Sequence, residues 1–241
     1  MKPPSPAPVL AFDCACSGLS VAVLRDGAVL ARRSEAMATG QSAALAPAIE
    51  TALREAGVAP AELGLIAVTA GPGSFTGIRI GLAMARGLAL ALDVPLAACS
   101  TFDAVRHGLS AQQRQRIDAD DAVLVAAIDS RREEIFVALG DGPRWRESVI
   151  HPADAVAALP SRAHALVGDA ADALREAFAA AGRGGEIVLC DARAPDAALF
   201  GPVLAAAGPE HWRRQNARDG LPRPLYLRGA DVTLPRAATL R

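Results

Sequence analysis

The 241-residue sequence predicts an α/β protein built from two related halves. Short apolar segments alternate with amphipathic helical segments, which indicates β-sheets covered by helices. An apolar strand that ends at Asp13, followed by a hairpin signal at Asp26-Gly27, recurs at nearly the same spacing as Asp129 and Asp141-Gly142. A glycine-rich turn, residues 71–81, joins a buried strand to a helix.

Each half is predicted to contain three strands, a helix, a strand, a helix and a strand. Apolar residues that repeat every three or four positions, such as Leu45, Ile49 and Leu53, indicate the first helix. In chain order the predicted elements of the first half are 9–12, 19–25, 28–33, 42–55, 65–69, 81–92 and 95–99. Those of the second half are strands 122–128, 134–139 and 144–150, a helix at 153–158, and strands 165–167 and 187–190 around a second helix.

Two β-β-β-α-β-α-β halves are the plan of the actin/hexokinase/Hsp70-like (ASKHA) fold. We expect a proline-rich tail at 1–8, an N-terminal subdomain at 9–104 and a C-terminal subdomain at 105–241. The last segment is a candidate for packing back on the N-terminal half. In this fold the two Asp-bearing hairpins normally face a cleft for a nucleotide phosphate and a metal, and Asp13 and Asp129 occupy those places.

The phosphate hairpins of this chain are predicted to be degraded. Active members often carry glycine two residues after the first Asp, where this chain has Ala15, with Arg131 in the second half. Fold alone does not establish function. The alternative role for both carboxylates is a hydrogen bond to the backbone of their own turns.

The glycine-rich turn is a candidate anion site because it precedes a helix N-terminus. Together with the degraded hairpin at Asp13, the turn gives these candidate cofactor-binding residues: Asp13, Gly71, Gly73, Ser74, Thr76 and Gly77. No lysine follows the last glycine, and the one lysine of the chain is Lys2, so the turn is not a P-loop. The alternative is a tight turn that lets strand and helix pack closely.

Composition favours no other chemistry. A net charge of −1 argues against general attraction to nucleic acid, and the four cysteines lack zinc spacing. The four histidines form no ligand pair, so we expect no metal site and no catalytic residue. No signal peptide is apparent, and the helix at 81–92 is short and interrupted by Arg86, so we expect a cytoplasmic protein away from membranes.

The segment 78–92 is apolar almost all round, with Arg79 and Arg86 as its charges. Such a helix is buried on more than one side. One side would pack on its own sheet, and the other side would pack either on another chain or within the same domain.

The sequence resembles the bacterial TsaB (YeaZ) family. The signature is the segment 71–81, Gly-Pro-Gly-Ser-Phe-Thr-Gly-Ile-Arg-Ile-Gly, and further matches occur in order at 10–13, 95–102, 127–136, 167–170 and 224–228. The resemblance extends from residue 9 to about residue 231. The chain departs from the family pattern at Gln41, where histidine is frequent, and at Cys14-Ala15-Cys16, where hydroxyl residues are usual.

This resemblance implies a non-catalytic subunit of the machinery that makes threonylcarbamoyladenosine at position 37 of tRNA. Its implied partners are the catalytic paralogue TsaD, the ATPase TsaE and, through the complex, tRNA, with a homodimer as an alternative state. TsaD carries an H-x-x-x-H metal site on its first helix, whereas the corresponding segment here, 40–47, has no histidine. The chain itself is expected to require no cofactor, although ATP or ADP could bind at the junction with TsaD.

Family members pair through the first two helices, so the resemblance implies an interface on the outer faces of 42–55 and 78–92. The expected contacts are Leu45, Ile49, Arg79, Ile80, Met84 and Gly87. Two other functions compete with this one. An autonomous ATPase or small-molecule kinase would need working phosphate hairpins, and a peptidase would need a metal site or a nucleophile with its base.

Overall fold

The computed structural model describes residues 6–140 and 146–228. The first half contains β1 (Val9–Asp13), β2 (Leu19–Arg25), β3 (Ala28–Glu35), α1 (Gln41–Ala56), β4 (Leu65–Thr69), α2 (Phe75–Leu92) and β5 (Leu96–Cys99). Two short helices, α3 (Thr101–His107) and α4 (Ala111–Ala119), lead to the second half.

The second half repeats the order of the first. It contains β6 (Val123–Asp129), β7 (Ile135–Leu139), β8 (Arg146–Ile150), α5 (Pro152–Ala158), β9 (His164–Val167), α6 (Ala171–Ala180) and β10 (Ile187–Leu189). Two more helices follow, α7 (Ala197–Ala206) and α8 (Pro209–Asp219).

The described residues form two five-stranded sheets with the same topology. The first has the order β3-β2-β1-β4-β5 and the second has the matching order β8-β7-β6-β9-β10. In each sheet the first three strands are antiparallel and the last two run parallel to the first. This repetition confirms the predicted duplicated actin-like α/β fold. The predicted hairpin at 141–142, the strand start at 144 and tail residues 1–5 lie outside the described residues.

The first sheet is covered on both faces, which explains why its central strands are apolar throughout. Helices α1 and α2 cover one face, where Phe12, Val21 and Ile66 belong to the core. Helix α7 covers the other face and buries Phe200 against the side of β1 that carries Ala11. Residues after the second sheet therefore pack on the first, whereas the predicted subdomain bounds stay a prediction.

Helix α2 begins six residues earlier than the predicted start at residue 81. The Ser74 hydroxyl accepts a hydrogen bond from the Gly77 N–H and caps the helix, so half of the glycine-rich segment is helical. The resulting 18-residue helix is long and apolar enough to cross a membrane, so the prediction that it is too short is wrong. Core helices of soluble proteins share this composition, and one face of α2 packs on β4 and β5.

Helix α8 closes the open edge of the first sheet. The Asn216 side chain accepts a hydrogen bond from the Leu96 N–H at 2.9 Å and donates one to the Leu96 carbonyl at 3.0 Å. The amide thereby pairs with edge strand β5 as a neighbouring strand would, which satisfies two backbone groups at an exposed edge.

We expect Asn216→Asp to lower the free energy of unfolding by about 1–3 kcal/mol at pH 7. A carboxylate keeps the bond from the Leu96 N–H but faces the Leu96 carbonyl oxygen with no proton to donate. Denaturant unfolding measures the loss, which should shrink at low pH as the carboxyl group gains a proton. Equal stability of the two proteins at pH 7 would contradict this role.

Candidate functional site

The glycine loop, residues 70–77, lies directly against the first hairpin turn, residues 14–18. The Ser74 N–H donates to the Ala15 carbonyl at 2.7 Å. A Cβ atom on Gly73 would lie 2.2 Å from that same oxygen, and one on Gly77 would lie 2.0 Å from the Cys14 carbonyl oxygen. Gly73 also has φ +154°, a conformation that side chains rarely adopt. The glycines therefore serve close packing of backbone on backbone.

Asp13 ends β1 beneath this contact and is 3% exposed. Its Oδ1 accepts hydrogen bonds from the Ala15 N–H at 3.0 Å and from the Thr69 hydroxyl. Burial, with a smaller contribution from the charge of Asp169, raises the pKa of Asp13 to about 6 against the opposing effect of these hydrogen bonds. The carboxylate is thus bound to its own turn, which is the structural alternative foreseen for it.

The tips of the two Asp-bearing hairpins are tied to each other. Arg131 donates a hydrogen bond to the Ser17 hydroxyl at 2.9 Å and forms an ion pair with Asp129 at 3.4 Å. Ser17 in turn donates to Asp169 at 3.5 Å, and Asp169 accepts from the Asp129 N–H at 2.8 Å. Side chains of the chain itself therefore span the place where the fold normally opens its nucleotide cleft.

The glycine loop, which carries the predicted cofactor-binding residues other than Asp13, packs on the turn that follows Asp13. Gly71 and Gly77 are buried, Gly73 and Ser74 are half-buried, and Thr76 is exposed on α2. Binding of a cofactor by these residues stays a prediction. Among residues 6–140 and 146–228, no group of three His, Cys, Asp or Glu side chains is placed to hold a metal ion.

The cysteines around the turn are not poised as nucleophiles. Burial raises the pKa of the Cys14, Cys16 and Cys99 thiols, so they stay protonated at neutral pH. Cys14 faces the N-terminal core and Cys16 the C-terminal core, which places the turn as a joint between the two halves.

The outer face of α2 is apolar and built from small residues. Successive positions on it are four and three residues apart, the spacing of a helix-packing seam. They are Thr76, Ile80, Ala83, Gly87 and Leu90. Leu90 is 85% exposed, and a Cβ atom on Gly87 would meet nothing within 4 Å. Met84 borders the seam and packs partly on the N-terminal core.

Comparison with known proteins shows the family of this chain. The family model described as TsaD, tRNA N6-adenosine threonylcarbamoyltransferase, matches residues 35–181. Two curated relatives described as tRNA threonylcarbamoyladenosine biosynthesis protein TsaB are similar to this chain. The one from Bacillus subtilis is 33% identical over 131 residues, 54% of each chain. The one from Escherichia coli is 35% identical over 128 residues, 53% of this chain and 52% of the relative.

A solved structure of YeaZ from Pseudomonas aeruginosa aligns with a TM-score of 0.65 and 25% identity, covering 92% of this chain and 100% of that chain. The chain belongs to the family that the TsaD model describes, and the curated relatives and the solved structure that it resembles are TsaB (YeaZ) proteins. The chain spans about half the length of the curated TsaB relatives that it matches.

Two predicted interface residues of this TsaB-like chain are placed elsewhere. Leu45 is fully buried and Ile49 is buried beside it, both in the core between α1 and the first sheet. Their prediction as partner contacts is wrong, because the apolar stripe that reveals an amphipathic helix is the stripe its own sheet covers. Leu45→Arg is accordingly expected to unfold the chain and not simply to disrupt pairing.

The other predicted contacts lie on or beside the outer face of α2. Ile80 and Met84 are half-buried, Gly87 is exposed, and Arg79 lies on the flank of the face. Sequence analysis missed Ala83 and Leu90, although their spacing from Ile80 and Gly87 carried the signal. It also missed Tyr226, whose hydroxyl accepts from Arg79 Nε at 2.9 Å across 147 residues of sequence. No local pattern predicts such a contact.

We expect Asp13→Asn to flatten the pH dependence of stability. The folded chain holds the Asp13 proton more tightly than the unfolded chain, so its contribution to stability is lost as pH rises from about 4 to about 6. An amide cannot ionise, so the variant should gain on the order of 1–3 kcal/mol relative to the native protein between pH 4 and pH 7. Denaturant unfolding across this range measures the difference.

Thr69→Val is the matched control for that measurement. It removes a hydrogen bond that lowers the pKa of Asp13, so the pH-dependent window should move upward. Parallel stability profiles for Asp13→Asn and the native protein would refute the buried-carboxylate assignment.

Two glycine-to-alanine changes within α2 should have opposite effects. Gly77→Ala places a Cβ atom against the Cys14 carbonyl and should destabilise the chain by about 1–3 kcal/mol. Gly87→Ala meets open space and should stabilise the helix by about 0.5–1 kcal/mol. Thermal unfolding of the two variants checks the signs, and a stabilising Gly77→Ala would refute the close contact between loop and turn.

Proposed function

We propose that this chain is the non-catalytic, partner-binding subunit for threonylcarbamoyl transfer to adenosine 37 of tRNA. It docks on a TsaD-like catalytic paralogue through the outer face of α2. The exposed seam of that helix, with Leu90 at its end, is the single observation that carries the proposal. Family membership supplies the reaction, since the relatives are described as threonylcarbamoyladenosine biosynthesis proteins.

The composition of the seam suits another helix as its occupant. Ala83 and Gly87 have little or no side chain, so a second helix can approach the backbone closely there. Ile80 and Leu90 belong to the same seam and offer apolar area on either side of these two small residues. A face of this kind excludes charge at its centre, as the cores of protein interfaces do.

Contacts within the chain fill the expected nucleotide cleft, and they support the non-catalytic part of the proposal. Asp13 and the turn after it are buried under the glycine loop, and Arg131 crosses to Ser17. These contacts use the groups that a working phosphate site would present to its nucleotide.

We propose further that a TsaE-like ATPase and tRNA join through the complex, that ATP or ADP binds at the junction with the paralogue, and that the assembly is cytoplasmic.

Reconstitution with one component omitted tests the proposal. A TsaD-like protein, a TsaE-like ATPase, tRNA, ATP and threonylcarbamoyl-adenylate are incubated with and without this chain, and the modified nucleoside is quantified by mass spectrometry. Product should require the chain, while the chain alone turns over no ATP and cleaves no peptide. Equal product without it would overturn the proposal, and ATP turnover or peptide cleavage by the chain alone would favour the ATPase or the peptidase instead.

We expect Leu90→Arg and Met84→Arg to weaken binding of the TsaD-like partner by at least about 30-fold, the range of interface hot spots. Leu90→Arg should leave folding unchanged, because the side chain is exposed before pairing. Leu199→Arg is the matched control, since Leu199 is an exposed leucine on α7, on the opposite face of the sheet. Titration calorimetry measures affinity, and equal loss in all three variants would refute the assigned face.

A further inference from the structure

The C-terminal end of the described chain, residues 221–228, crosses the N-terminal half as an extended segment without helix or strand. We name this segment the strap. The Leu225 N–H donates to the Ala70 carbonyl at 2.7 Å, which anchors the strap on the glycine loop. Its end is fixed to the other half, where Arg228 pairs with Glu134 and Leu227 packs on the C-terminal core.

The strap binds both charged residues of α2. Arg79 Nε donates to the Tyr226 hydroxyl at 2.9 Å, and the Arg79 guanidinium stacks on the Phe75 ring, with its central carbon 3.6 Å from the ring centre. The Phe75 and Tyr226 rings lie 5.5 Å apart and tilt towards each other. Two helical turns further along α2, Arg86 donates a hydrogen bond to the Pro222 carbonyl.

Helix geometry explains why these two bonds matter for the outer face. At about 100° per residue, Arg79 and Arg86 lie on the same flank of α2, bordering Ala83 and Leu90. A helical side chain lies over the turn that precedes it, so an untethered Arg79 could cover the seam at Thr76 and an untethered Arg86 could cover it at Ala83. The strap instead binds both guanidinium groups on the flank of α2, away from the seam.

We propose that the strap prepares the docking face by keeping Arg79 and Arg86 off it, with Tyr226 as the positioning residue. This inference rests on the proposed function of the α2 face. The seam residues themselves carry no formal charge, and the strap holds the two arginines that border the seam. Release of Tyr226 would leave the Arg79 charge beside the seam without this hydrogen-bond partner, and desolvation of that charge would oppose binding.

The first part of the strap is held on one side only. A half-open pocket of about 280 Å³ is lined by residues 221–223 together with Leu96, Trp212 and Gln215. The first part of the strap therefore borders open space on this side, and on the other side it bonds to α2 through the Pro222 carbonyl.

A double-mutant cycle tests the inference, with a purified TsaD-like paralogue as the probe and titration calorimetry as the readout. Tyr226→Ala should weaken binding at least about 10-fold in the native background, a loss that corresponds to about 1.4 kcal/mol. In an Arg79→Met background the same change should cost no more than about twofold, because the charge that it releases is gone. Tyr226→Phe, which loses only the hydroxyl, should weaken binding by about threefold to tenfold.

Leu221→Ala is the matched control within the strap, because its side chain is exposed and holds no arginine. It should bind within about twofold of the native chain, an effect below that of one hydrogen bond. If Tyr226→Ala costs the same in both backgrounds, the strap acts through shape and not through charge, and the inference is overturned. Should Tyr226→Ala fail to fold, Tyr226→Phe in the two backgrounds decides the question by the same comparison.

The native chain separates the two proposals. If it does not bind the paralogue, the proposed function fails and the inference falls with it. If it binds and both Tyr226 variants bind equally well, the inference alone fails.

Discussion

The close approach of the glycine loop to the first hairpin turn is the contact on which the rest of this structure depends. Gly73 and Gly77 bring backbone against the carbonyl groups of Ala15 and Cys14, at distances that no larger residue could accept. This contact buries Asp13, sets Ser74 as the cap of α2 and determines where that helix leaves the sheet. A loop that in other folds cradles phosphate here holds two secondary-structure elements together.

The consequence for chemistry follows from the same contact. A carboxylate with a raised pKa, buried under its own loop, is poorly placed to meet a nucleotide or a solvated metal ion. The second hairpin completes the arrangement, because Arg131 reaches Ser17 and Asp169 accepts from the backbone of Asp129. The two halves are joined at the place where the ASKHA fold normally has its nucleotide cleft.

The side of α2 that faces away from the sheet is the one available for assembly. One face of the helix packs on the sheet, and the other carries small residues and an exposed leucine. The C-terminal strap borders that second face and holds its two arginines. Residues separated by more than 130 positions in the sequence thus share one surface, which places residues 221–228 at the border of the proposed interface.

The sequence by itself determined the duplicated fold, because apolar periodicity and hairpin signals are local properties that each half repeats. It also indicated the family and the glycine segment as the central feature. Only the tertiary structure decided which side of each helix is free. Leu45 and Ile49 are buried because the stripe that reveals a helix is the stripe its sheet covers, whereas Leu90 stands exposed. The bond between Tyr226 and Arg79 likewise depends on chain segments meeting in space, which no local pattern encodes.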